Sequence, residues 1–180
     1  VPVSLNYDRV VEDRILVAAG RSGTRRFRAS APEGVQFTLR YIWRRLRGLE
    51  SRFGVAGVTF GRPISLSELA AGAPQTADLV HLLGERLKED IRTSVPVVTV
   101  PLIMTALFKR DGRATMQDIS AEIEKLRAAF VGTPPDFAAP EGDNEALAGV
   151  LEGLVVRHIL SREDEIYRIV ATDLAIFYAN

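Results

Sequence analysis

The sequence predicts an α/β protein in two parts: residues 1–75 built around a mixed sheet, and residues 76–180, mostly helical with a small β-hairpin and winged-helix-like in its order of elements. Three observations carry this expectation. Val1, Val3 and Leu5 alternate with Pro2, Ser4 and Asn6, and a second apolar run, Val55-Ala56-Gly57-Val58-Thr59-Phe60, closes on Gly61. Both have the marks of strands. Beyond residue 76, apolar side chains recur at helical spacing in four successive stretches. Near the end, two apolar runs flank a short charged turn.

In chain order, Pro2 lacks an amide hydrogen and belongs at a strand start or edge. Arg21-Ser22-Gly23-Thr24 and Pro32-Glu33-Gly34 read as loops. Leu39, Ile42, Trp43, Leu46 and Leu49 form a helical stripe over residues 35–49, with Arg40, Arg44, Arg45 and Arg47 opposite. Ser65-Leu66-Ser67-Glu68 has capping-box spacing, so a short helix starts there. Gly72-Ala73-Pro74 marks the boundary between the two parts. An amphipathic helix is expected over 76–93, with Val80, Leu83, Leu87 and Ile91 on one face. Residues 97–108 are almost wholly apolar, as in a buried helix. Thr115-Met116-Gln117-Asp118 opens a helix reaching about residue 131, and residues 132–142 form a linker. A helix follows over 144–154. A hairpin pairs 155–160 with 166–170 across a turn at 161–165, and a last helix begins at Asp173.

The chain carries 23 basic and 23 acidic residues and no cysteine. Disulfides and thiolate metal sites are therefore excluded, and a reducing cytosol is compatible. Charge is uneven: residues 1–60 hold eleven Arg and no Lys against five acidic groups, a net of +6. That imbalance fits either an anionic partner for the first third or a solvated basic face. The longest apolar run, 95–108, falls short of the roughly 20 residues that span a bilayer. A strand with no turn or helix before it is expected of a C-terminal piece of a longer protein.

Tyr7, Asp8, Arg9 and Arg14 cluster just past the first strand, where sheets flanked by helices bind ligands. Arg suits a phosphate there, because its planar fork makes two-point contacts. The alternative is an Asp8–Arg or Asp13–Arg pair closing a surface turn. The helix over 35–49, basic and bearing Trp43, fits a membrane interface or a face packed on a sheet. The order of elements over 115–170 resembles a winged helix, yet residues 144–154 carry Glu145 and Glu152 and no basic side chain. A groove-reading helix must neutralise phosphates, so the motif reads as a packing module and no nucleic acid partner is expected.

Val1-Pro2-Val3-Ser4-Leu5-Asn6-Tyr7-Asp8-Arg9 resembles the fourth sequence block of the glycerol-3-phosphate and dihydroxyacetone-phosphate acyltransferase family. The segment Phe53-Gly54 through Phe60-Gly61-Arg62-Pro63-Ile64-Ser65-Leu66 is similar to a later strand and turn of that family, and Leu174 to Asn180 to its C-terminal end. The resemblance implies a truncated mixed-sheet acyltransferase domain followed by the helical one. It implies that the parent enzyme moves a fatty acyl group from acyl-CoA or acyl carrier protein to the sn-1 hydroxyl of glycerol 3-phosphate, on the cytoplasmic face of a membrane. It places Pro2, Ser4, Tyr7, Asp8, Arg9 and Arg14 at the edge of the substrate pocket, Pro2 and Arg9 foremost. No metal or cofactor is implied. The family's reaction uses a His-x4-Asp pair, the His as general base for the attacking hydroxyl. This chain has none: Arg86 stands five residues after His81, and Glu163 five after His158. The chain alone is thus expected to be inactive. The competing expectation is a non-catalytic winged-helix-like interaction or nucleic-acid-binding module, in which the first strand's edge would be covered rather than left apolar and open.

Overall fold

The architecture was read from a computed structural model, which describes residues 1–10, 12–22, 54–72, 76–129 and 144–179. The expected helix over 35–49, the boundary at 72–74 and the linker over 132–142 fall wholly or largely outside the described residues.

Strand β1 (Val3–Tyr7) leads into helix α1 (Asp13–Ser22). Strand β2 (Ala56–Phe60) then pairs antiparallel with β1, Val3 facing Phe60, Leu5 facing Val58 and Tyr7 facing Ala56. Successive side chains on a strand point to opposite faces. One face of this ribbon carries Ser4, Asn6 and Gly57, and the other Val3, Leu5, Tyr7, Val58 and Phe60. Helix α2 (Leu66–Ala71) is capped as its sequence foretells: the Ser65 hydroxyl accepts the Glu68 amide at 3.4 Å.

Helix α3 (Thr76–Ser94) packs against α2 and β1. Its expected apolar stripe is only half covered. Leu83 and Leu87 are partly buried, whereas Val80 and Ile91 remain exposed. Few described elements lie against this helix, so periodicity reported a face with little to bury it.

The core lies farther along. Helix α4 (Thr99–Phe108) buries Ile103, Met104 and Leu107 completely, which accounts for its lack of a polar face. Strand β3 (Arg113–Thr115), helix α5 (Met116–Ala129), helix α6 (Asn144–Val156), strands β4 (Leu160–Glu163) and β5 (Ile166–Ile169), and helix α7 (Thr172–Ala179) complete it. Ile119, Leu151, Ile159 and Leu160 reach the same cluster, and α7 lies against both α1 and α4. Thr115 and Asp118 cap α5 reciprocally: the Thr115 hydroxyl accepts the Asp118 amide at 3.2 Å and donates to the Asp118 carboxylate at 2.8 Å.

Seven helices and two small antiparallel sheets thus make a mixed α/β fold among the described residues. Neither sheet contains a parallel pair there. The hairpin departs from expectation. Val155 and Val156 end α6 instead of starting a strand. His158, at φ +55°, stops the helix in the left-handed conformation, and the Ile159 and His158 amides donate to the Leu154 and Val155 carbonyls. That is the double hydrogen bond of a Schellman stop. The three-stranded sheet runs β3-β5-β4, and its edge strand β3 was too short for any periodicity to announce.

Candidate functional site

The polar side chains of β1 are fastened inward. Pro2 lies under Gly61, where an added Cβ would meet the Pro2 ring at 3.3 Å, and the Gly61 amide donates to the Pro2 carbonyl at 2.9 Å. The buried Ser4 hydroxyl reaches the end of α3, donating to the Ile91 carbonyl at 3.3 Å and lying 2.7 Å from the Ser94 hydroxyl. The Asn6 amide donates to the Pro96 carbonyl at 2.9 Å.

Asp8 ends the strand as a clamp. One carboxylate oxygen accepts the Val100 amide at 2.9 Å, in the first turn of α4; the other accepts the Val55 amide at 3.0 Å, just before β2. Free amides and the dipole at a helix start favour an anion there. Gly54 makes the approach possible. It sits at φ +84°, and a Cβ on it would come within 2.6 Å of the Asp8 Cβ.

Beyond the clamp the chain turns into α1 and meets the other end of the molecule. The buried Asp13 accepts the Tyr178 hydroxyl at 2.6 Å and pairs through the same oxygen with Arg157. The Val10 amide donates to the Tyr178 oxygen at 3.2 Å, and the Arg14 guanidinium donates to the Arg157 carbonyl at 2.6 Å. Arg157 also lies over the Tyr178 ring, 5.8 Å from its centre. Burial, reinforced by the bond to Asp13, pushes the Tyr178 phenol above its ordinary range, so it stays a donor.

The structure therefore sorts the residues singled out in the sequence. Pro2, Ser4 and Asp8 are buried and engaged; Tyr7 and Arg14 are exposed; Arg9 is half-buried. They do lie together, along one strand and the turn that follows it. The Asp13–Arg pair exists, but its arginine comes from residue 157, and the pair joins a buried carboxylate to a partly buried guanidinium. Tyr178 and Arg157 escaped the sequence reading because no local spacing links them to Asp13. The single hint was the resemblance of Leu174 to Asn180 to a family terminus.

His81 is exposed on α3, and His158, next to Arg157 in the chain, is exposed and serves as a helix stop. Among the described residues, no three His, Asp or Glu side chains gather as a metal site, and no helix is long and apolar enough to cross a membrane.

Residues 32–178 match the family described as the glycerol-3-phosphate acyltransferase C-terminal region. The chain belongs to that family. Proteins named glycerol-3-phosphate acyltransferase resemble it throughout: that of Pseudomonas savastanoi pv. phaseolicola is 28% identical over 86% of this chain. The one from Pseudomonas syringae pv. syringae is 27% identical over the same share. The one from Pseudomonas paraeruginosa is 25% identical over all of the chain, the Val1-to-Arg14 block included. The chain spans 20% of the length of the first two relatives and 23% of the third. Membership thus rests on the C-terminal region, whose buried core and capped helices are the elements described above.

Proposed function

We propose that this chain is the C-terminal part of a phospholipid-synthesis acyltransferase. The enzyme transfers a fatty acyl group from acyl-CoA or acyl carrier protein to the sn-1 hydroxyl of glycerol 3-phosphate, at the cytoplasmic face of a membrane. The carrying observation is the outer face of the β1–β2 ribbon. Val3, Leu5, Tyr7, Val58 and Phe60 are 45 to 72% exposed there, and nothing among the described residues covers them. Among the described residues β1 pairs with β2 alone, so its other edge is open beside this face; an open edge fits a pocket wall, and a covered one would fit a self-contained interaction module.

On this reading Tyr7, Arg9 and Arg14 face the substrate, with Arg9 foremost for the phosphate. Pro2, Ser4 and Asp8 hold the wall from behind. The general base that takes the glycerol hydroxyl proton, as that oxygen attacks the thioester carbonyl, lies in the rest of the enzyme. The succession α4-β3-α5-α6-β4-β5 supports a winged-helix-like arrangement serving as a packing module. Glu152 on α6 pairs with Arg162 of the hairpin at 2.7 Å, which leaves an acidic rather than a phosphate-seeking helix.

The test is acyl transfer from a labelled thioester to glycerol 3-phosphate. The full-length enzyme is expected to be active and the 180-residue chain inactive. Arg9→Gln in the full-length enzyme should raise KM for glycerol 3-phosphate about tenfold or more, the value of a lost charge-assisted contact. An active isolated chain, or an unchanged KM in Arg9→Gln, overturns the assignment. Flotation of the full-length enzyme with anionic liposomes tests the membrane surface, and failure to float removes that part.

A further inference from the structure

We propose that Arg157, just after α6, and Tyr178, near the end of α7, are positioning residues for the substrate-facing residues 7–10 and 12–14. The inference deepens the function proposed above and rests on it.

Besides local bonds from the Asp13 amide to the Val10 carbonyl at 3.4 Å and from the Arg14 amide to the Asp13 carboxylate at 2.7 Å, the fixed points of this segment come from elsewhere in the chain. Tyr178 supplies two with one atom: its oxygen takes the Val10 amide at 3.2 Å and gives its proton to Asp13 at 2.6 Å. Arg157 supplies two more, pairing with Asp13 through its guanidinium and accepting Arg14 on its carbonyl at 2.6 Å. That carbonyl is itself set by the Schellman stop at His158. Arg14, one of the substrate-edge candidates, is thus aimed by the end of α6. Arg9 lies between the clamp and Val10, one residue from each.

The cluster is buried and interlocked. Asp13 is 2% exposed and Tyr178 4%, and each member contacts at least two others. A second tie on the surface, Arg21 to Asp173 at 2.7 Å, runs between the same helices, α1 and α7. It is too exposed to hold them firmly. Small displacements of a positioned charge cost binding steeply, so the buried cluster sets the site's precision.

Tyr178→Phe isolates the claim. It keeps the ring, its edge contact with Phe177 at 5.3 Å and its place under Arg157, and deletes only the hydroxyl. In the full-length enzyme, Tyr178→Phe should raise KM for glycerol 3-phosphate about three- to tenfold, with KM for the acyl thioester unchanged. Arg157→Lys should move the same constant in the same direction, and carries the test should Tyr178→Phe fail to fold. Ile119→Val, a comparable loss in the core away from the cluster, should leave that KM where it was. Arg9→Gln separates the two ideas. If Arg9→Gln raises KM for glycerol 3-phosphate and neither cluster variant does, positioning is wrong and the site stands. An equal rise in Ile119→Val also overturns positioning, because the effect is then general loosening. If Arg9→Gln itself has no effect, the site reading falls and positioning falls with it.

Discussion

Asp8→Asn should destabilise this chain by about 3 kcal/mol. The carboxylate accepts two backbone amides on two oxygens, Val100 at 2.9 Å and Val55 at 3.0 Å, with Val100 in the first turn of α4. Asparagine offers one acceptor. Its amide group must turn toward one of the two backbone donors and leave it unsatisfied. A hydrogen bond to a charged group is worth about 1.5–3 kcal/mol, and a buried donor without a partner costs about 1–3 kcal/mol. Loss of the negative charge at the helix start adds about 0.3–1 kcal/mol. These terms overlap, so about 3 kcal/mol is the net expectation. For a chain of this size that lowers Tm by roughly 6–12 °C. Urea unfolding followed by circular dichroism should show a lower midpoint with an unchanged slope. Amide hydrogen exchange should quicken at Val55 and Val100 before it does in α5. A loss under about 1 kcal/mol, or exchange that quickens evenly over the chain, would refute the clamp.

Two other outcomes follow from the same packing. Ile103→Ala should cost about 2–5 kcal/mol, because Ile103 is fully enclosed, whereas Phe60→Ser should change the stability of the isolated chain by about 0.5 kcal/mol or less. Denaturant titration checks the contrast, and a comparable loss at Phe60 would mean that its face is covered. Acid should weaken the fold. The Lys109 ammonium holds the Glu122 carboxyl below its ordinary range, and the Thr115 hydroxyl does the same for Asp118. Both groups then bind a proton more readily in the unfolded chain. Their contribution is complete above the ordinary carboxylate range, about pH 4, and is lost as pH falls through the lower folded values. Unfolding free energy measured between about pH 6 and pH 3 should fall, and Glu122→Gln should flatten the slope; an equally steep fall in that variant discards the assignment.

How much was legible depended on how far apart the partners lie. Helices α2 to α7 announced themselves, because one apolar stripe or one capping pair suffices: Thr115 with Asp118, Ser65 with Glu68. Strand β2 was legible from its run of small and branched side chains between Gly54 and Gly61. Helix α1 was not, since Ile15 faces water and only Val17 of that stretch packs on the core cluster. Val155 and Val156 invited a strand by propensity, but Leu147, Leu151 and Leu154 already bound the helix to the core as far as the stop at His158. The site was half visible. Its residues share one block of sequence, so they could be named. Their sorting into buried and open could not be foreseen, because the groups that bury them stand about 90 residues away at α3 and α4, and about 165 at Tyr178.

That sorting bears on the pocket wall proposed above. Strands at the edge of a domain usually turn apolar groups to the core and polar ones to water. The β1–β2 ribbon does the reverse. Ser4, Asn6 and Asp8 are spent on the end of α3, the link after it and the start of α4, through hydrogen bonds to Ser94, Pro96 and Val100. Its Val, Leu, Tyr and Phe side chains look outward. A two-stranded ribbon is marginal by itself, and this one is held by polar contacts on one side only. Hydrogen bonds fix direction and distance, whereas apolar contact tolerates sliding. The arrangement therefore suits a middle layer, registered on the helical body by Asp8, Asp13 and Tyr178 and leaving its apolar side open among the described residues. A pocket wall needs that division, because its position has to be set from behind while its front stays free to line a cavity.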